Sequence, residues 1–140
     1  MISFNYETDF VLDNETNFSN WLSEVISSEL KNEGEINYIF CDDDYLLEIN
    51  QQYLDHDTLT DIISFDYSVG NELHGDIFIS VERVRDNATD YNVSFEDELK
   101  RVMVHGLLHY CGYKDKSESD ERLMREKEEE KMKMFHVKHN

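Results

Sequence analysis

The chain has 140 residues, enough for one domain with a real core but not for two. Hydrophobic residues make up 39% of it, with eight Phe and eight Tyr, which excludes a disordered chain. The net charge of −19 excludes bulk electrostatic attraction as a route to nucleic acid.

That charge is unevenly spread. Residues 1–80 carry one Lys against 18 Asp or Glu, whereas residues 81–140 carry 12 Lys or Arg against 14 acids. An anionic ligand would approach the second half. No apolar run is long enough to span a membrane and no signal peptide opens the sequence. Two cysteines, Cys41 and Cys111, are too few for a disulfide framework and read as buried thiols in a reducing cytoplasm.

Ile2, Phe4 and Tyr6 alternate with polar residues and predict a strand over 2–6. Phe18, Trp21, Leu22, Val25, Ile26 and Leu30 follow helical spacing, predicting an amphipathic helix over 18–30 that Gly34 closes off. Ile36, Tyr38 and Phe40 mark a strand over 35–41. The run Asp42-Asp43-Asp44 lacks calcium-loop spacing and reads as carboxylates at the start of a helix over 43–54. A polar connection, Asp55 to Asp61, leads to a strand over 62–67. Gly70 to His74 reads as a turn, followed by a strand over 75–80 and a helix over 82–91. Ser94-x-x-Asp97 and Ser117-x-x-Asp120 each have the form of a capping box opening a helix. The second of these helices, over 118–135, is charged on most faces, and His136 and His139 follow as a tail. The whole is an α+β domain, a roughly four-stranded mixed sheet packed with about five helices.

The helix opened by Ser94 carries the chemistry. His105 and His109 stand four apart, one turn from each other on one face. Val104, Leu107 and Leu108 make its later turns apolar all round, so it is a buried helix with its histidines facing a cleft. Gly112 suits a left-handed helix end, after which the chain can fold back and bring Asp115 to the two imidazoles. Two nitrogens and one carboxylate leave a divalent metal at least one open position, the plan of a catalytic rather than a structural site. Cys111 lies on the far side of the helix and is a poor fourth ligand.

His105 to Asp115 resembles the metzincin pattern, but Gly106 stands where those peptidases place a glutamate general base. The stretch is more similar to the YbeY family of bacterial single-strand-specific endoribonucleases, whose signature is His-Gly-x-Leu-His-x-x-Gly-Tyr followed usually by Asp-His. His105, Gly106, Leu108, His109, Gly112 and Tyr113 match it. Lys114 and Asp115 stand where the family usually has its aspartate and third histidine. Ile49-Asn50, Tyr53, Asp57, Thr60-Asp61 and Ser64-Phe65 match a second family segment, and Gly75-Asp76-Ile77 with Ile79-Ser80 a third. Leu54 replaces the arginine the family is thought to use in handling RNA, and Leu59 replaces its proline.

The resemblance implies a metal-dependent endoribonuclease. Its setting would be maturation of the 3′ end of small-subunit (16S) ribosomal RNA and ribosome quality control, in the cytoplasm, with ribosomal proteins of the small subunit as further partners. His105, His109 and Asp115 would hold one metal per chain, Zn²⁺ or another divalent transition ion. Such a metal acidifies water and neutralises charge on a phosphoryl oxygen. Lys114 and Lys116 are candidate phosphate contacts through their nearness to Asp115. The general acid or base is left open among His56, His74 and Asp76. Two other classes fit the same residues: a zinc hydrolase of peptides or small molecules, and a ribosome-assembly factor with a purely structural metal.

Overall fold

A computed structural model describes residues 1–54 and 59–135. His56 and Asp57, like His136 and His139, lie outside the described residues. Four strands, β1 (Ile2–Tyr6), β2 (Asn32–Cys41), β3 (Ile62–Asp66) and β4 (Glu72–Ser80), form one sheet in the order β1-β2-β4-β3. β1 and β4 run parallel to β2, and β3 closes the edge antiparallel to β4. The sheet is therefore mixed, as expected. Five helices accompany it: α1 (Glu15–Ser28), α2 (Asp43–Leu54), α3 (Val81–Tyr91), α4 (Phe95–Tyr110) and α5 (Glu118–Met132).

Strand alternation sorts the side chains onto two faces. Ile36, Tyr38 and Phe40 of β2 and Leu73, Ile77 and Ile79 of β4 join residues of α1 and α4 in one continuous core. On the other face a smaller cluster, Cys41, Leu46 and Ile63, sits under α2. Helix α4 lies against the first face. The Tyr38 hydroxyl donates to Met103 O at 2.8 Å, so the buried phenol has a partner and the helix is pinned to the sheet. At the other end the Tyr110 hydroxyl donates to Phe65 O at 2.8 Å.

Gly106 sets how closely α4 approaches. A Cβ placed there would lie 3.1 Å from Ile77 Cδ1 and 3.2 Å from Ile62 Cδ1. The residue after His105 therefore faces the sheet, and a long side chain there would press on Ile77 and Ile62.

Helix α5 is fastened to α1 by polar contacts. Trp21 Nε1 donates to Lys131 O at 2.7 Å, and the buried Lys131 ammonium reaches Glu29 Oε2 at 2.8 Å. Tyr113 donates to the other Glu29 oxygen at 2.7 Å. Burial works against the Glu29 charge, but Lys131 and Tyr113 outweigh it and hold the carboxyl below its ordinary range.

Several boundaries differ from the sequence reading, and α1 and β2 begin earlier than expected, at Glu15 and Asn32. Helix α1 stops at Ser28, and exposed Leu30 (86%) adopts a left-handed φ of 59°. Lys31 N bonds Ile26 O and Leu30 N bonds Ser27 O, the hydrogen bonds of a Schellman turn. Gly34 closes nothing, because it lies inside β2 at an irregularity in the register with β4. Strand β4 starts at Glu72, so Leu73 and His74 belong to it, and the last helix ends at Met132. The acidic run does open α2: Asp42 Oδ1 accepts from Tyr45 N at 2.9 Å, and Asp43 is bonded by Arg83 at 2.7 Å.

Candidate metal centre

Helix α4 begins where the sequence places it, with the Ser94 side chain accepting from Asp97 N at 3.1 Å. It ends in a Schellman turn at Gly112, whose φ of 103° L side chains rarely adopt. Tyr113 N bonds Leu108 O at 3.1 Å and Gly112 N bonds His109 O at 3.0 Å. The turn has two consequences. It lays the Tyr113 carbonyl beside the His109 ring, and it returns Asp115 to the histidine face.

His105 Nε2 and His109 Nε2 are 2.9 Å apart, and Asp115 Oδ2 is 3.3 Å from each. The three residues offer one ligand atom each within 4.8 Å of one another, the arrangement expected from spacing alone. A tetrahedral ion with bonds of about 2.0–2.2 Å spaces its donors by about 3.3–3.6 Å; the two distances to Asp115 match this, and the one between the imidazoles is shorter.

The protons support the same reading. His109 Nδ1 is 2.9 Å from Tyr113 O, and a carbonyl only accepts, so this nitrogen carries hydrogen. His105 Nδ1 is 2.6 Å from Glu128 Oε2 and donates to it. With each Nδ1 engaged in this way, the two Nε2 atoms face each other and the Asp115 carboxylate. Three potential ligand atoms therefore converge on one point, where a proton or a divalent cation could bridge them. Burial opposes a charge on His105. The Glu128 hydrogen bond and charge, with Asp115 and Asp61, outweigh it and hold the imidazole above its ordinary value.

The donor atoms line a cavity of about 430 Å³. Neither lysine lines it: Lys114 and Lys116 are exposed. The cations that do are Arg101 and Arg125. Arg101 is bonded to Glu128 at 3.1 Å and lies 3.8 Å from Glu98. His74 and Asp76 point from β4 to the opposite face of the sheet. There His74 meets Glu72 at 2.6 Å, and Asp76 accepts from Asn37 at 3.0 Å. Asp61 lies in the cavity instead, and burial raises its carboxyl above the ordinary value although the nearby His105 acts against this. Half-buried Cys111 is outside the donor cluster, its thiol pushed up to about 11 by burial.

Glu128, Arg125 and Asp61 were not singled out by sequence reasoning. Glu128 lies in the run Glu128-Glu129-Glu130 and differs from its neighbours in being 5% exposed. Helical phase was the available signal: Met124, Glu128 and Lys131 share one stripe of α5.

The fold and the donor set define a class, an α+β domain with a candidate two-histidine, one-carboxylate metal centre. The family model described as endoribonuclease YbeY matches residues 3–136, and the chain belongs to that family. A protein of Flavobacterium psychrophilum named endoribonuclease YbeY is 74% identical over 140 residues, covering the whole of both chains. One from Christiangramia forsetii with the same name is 57% identical, over 97% of this chain and 95% of that one. The solution structure of TM1509 from Thermotoga maritima superposes with a TM-score of 0.69 at 27% identity, covering 96% of this chain and 89% of that one.

Proposed function

We propose that this protein is a metal-dependent endoribonuclease that cuts single-stranded RNA, with Zn²⁺ held by His105, His109 and Asp115. The observation that carries the reading is the meeting of three potential ligand atoms in a cavity, with Nδ1 of each imidazole engaged by Glu128 or the Tyr113 carbonyl and Nε2 turned to the centre. The relatives' shared name, endoribonuclease YbeY, supplies the substrate class. Maturation of the 16S ribosomal RNA 3′ end and ribosome quality control, in the cytoplasm and beside small-subunit ribosomal proteins, belong to the same proposal.

Bound there, a divalent ion supplies Lewis acidity toward a phosphoryl oxygen and toward water. The chain's own residues do the rest. Glu128 and Tyr113 orient the imidazoles. Asp61, with its proton affinity raised by burial, is a cavity carboxyl suited to moving a proton. Four carboxylates (Asp61, Glu98, Asp115, Glu128) face two guanidiniums in the cavity. Fully ionised, they would leave an excess of two negative charges, which a divalent cation would offset. Lys114 and Lys116, exposed beside Asp115, would meet the strand outside the cavity.

Peptide hydrolysis is disfavoured by Gly106, since its contact with Ile77 and Ile62 leaves no place for the glutamate base of a zincin. The test is to offer zinc-loaded protein single-stranded RNA and casein in parallel. RNA cleaved and casein intact is the expected result. The reverse would replace the nuclease with a peptidase.

A further inference from the structure

The cavity that holds the metal donors also has an aromatic ring and a guanidinium with no assigned work. Tyr91 ends α3 and is 63% exposed, yet it lines the cavity. Asn92, left-handed at φ 59°, turns the chain away immediately after it and leaves the ring at the rim. Among the described residues it stacks on no other aromatic ring. Arg125 is three residues before Glu128 on α5, so it shares the face that supports His105. Arg101 is tied to Glu128, but Arg125 makes no ion pair among the described residues. An exposed phenol ring and a guanidinium that has no close ion pair among the described residues, its charge felt by Glu98, therefore border one cavity with the candidate metal ligands.

Single-stranded RNA presents two matching features per nucleotide, a phosphate and the π face of an unstacked base. A guanidinium fits phosphate through its fork of donors. A tyrosine ring accepts any base without reading sequence. We propose that Arg125 binds a backbone phosphate and Tyr91 stacks on a base of the RNA strand lying in this cavity, so that together they form its nucleotide-binding subsite. The inference rests on the RNA reading above. It also gives that reading a basis for strand selectivity, because a base paired in a duplex has no free face to offer Tyr91.

The two contacts leave different signatures. Zinc-loaded wild type, Tyr91→Ala, Tyr91→Trp and Arg125→Ala are titrated against a fluorescein-labelled, 2′-O-methylated single-stranded oligoribonucleotide at several salt concentrations. Metal content and melting temperature are measured on the same samples. Tyr91→Ala should weaken binding about 5-fold or more, with Tyr91→Trp restoring it and the salt slope unchanged. Arg125→Ala should lower the slope of log affinity against log salt by about 0.7, the share of one phosphate on a single strand. Variants that bind as wild type does, with the same slope, overturn the subsite while leaving the RNA reading intact. A variant that loses zinc or melts early places that residue in the framework and overturns its proposed contact. Wild type that binds no single-stranded RNA removes the RNA reading and the subsite together.

Discussion

Glu128 Oε2 lies 2.6 Å from His105 Nδ1, so a carboxylate on the last helix holds one ring nitrogen of a candidate metal-site histidine and leaves the other facing His109 and Asp115. The two residues are 23 apart in sequence. Their contact depends on α5 being fastened to α1 by the Lys131–Glu29 ion pair and the Trp21 hydrogen bond. Partners of this kind tune metal affinity without touching the metal. Glu128→Ala should weaken zinc binding by about 10–100-fold. Glu128→Gln, which keeps an acceptor oxygen, should lose less. Competition against a chelating dye measures both, and equal affinities for wild type and Glu128→Ala would deny the residue this role.

Gly106 answers why the helix lacks a zincin glutamate. With Ile77 Cδ1 3.1 Å from the place of its Cβ, Gly106→Glu would drive a carboxylate between helix and sheet. The expected cost is about 3 kcal/mol or more, from overpacking and a buried, unpaired charge. Urea denaturation reads the stability and a casein assay reads the activity. A stable Gly106→Glu protein that cleaves casein would contradict the packing described.

The pH dependence should change sign with metal. His105 is held above its ordinary value, with burial opposing the shift and the Glu128 hydrogen bond driving it. A group raised in this way contributes stability that is complete below its unfolded pKa and is lost as pH rises through the folded one. Asp61 and Glu98, raised by burial, act in the same direction at lower pH. Metal-free protein should therefore melt higher at about pH 6 than at about pH 8. Zinc-loaded protein should melt lower at the acid end, because protons compete for the imidazole. His105→Gln should flatten the metal-free slope. Calorimetry with and without chelator checks all three expectations.

Leu30 holds a left-handed conformation better suited to glycine. An L-residue there costs about 1–2 kcal/mol, part of which glycine gives back through its freer unfolded chain. Leu30→Gly should stabilise the protein by about 0.5–1 kcal/mol. Leucine's side chain is 86% exposed and contributes little packing to lose. Unchanged or lower stability in chemical denaturation would show that Leu30 makes a contribution this account lacks.

Much of this architecture was legible from spacing. Alternating Ile36, Tyr38 and Phe40 marked a buried strand face, Ser94 and Ser117 marked helix starts, and Gly112 marked the turn that returns Asp115 to the histidines. Each signal is local, within about one helical turn or a few strand residues. The misses had different causes. Leu30 took the turn that looked like glycine's work because the hydrogen bonds of Lys31 and Leu30 back to Ile26 and Ser27 close it. Glu128 and Arg125 were hidden in a charged run whose inward stripe appears only once α5 is docked. His74 and Asp76 looked usable until their strand phase put them on the far face of the sheet.

The central claim is that His105, His109 and Asp115 together hold one catalytic metal ion. It is tested most directly by elemental analysis of purified wild type and Asp115→Ala beside cleavage of single-stranded RNA by the same preparations. One metal per chain and RNA cleavage in wild type, with both lost or strongly reduced in Asp115→Ala, is the predicted result. Full metal content and undiminished cleavage in Asp115→Ala would contradict it.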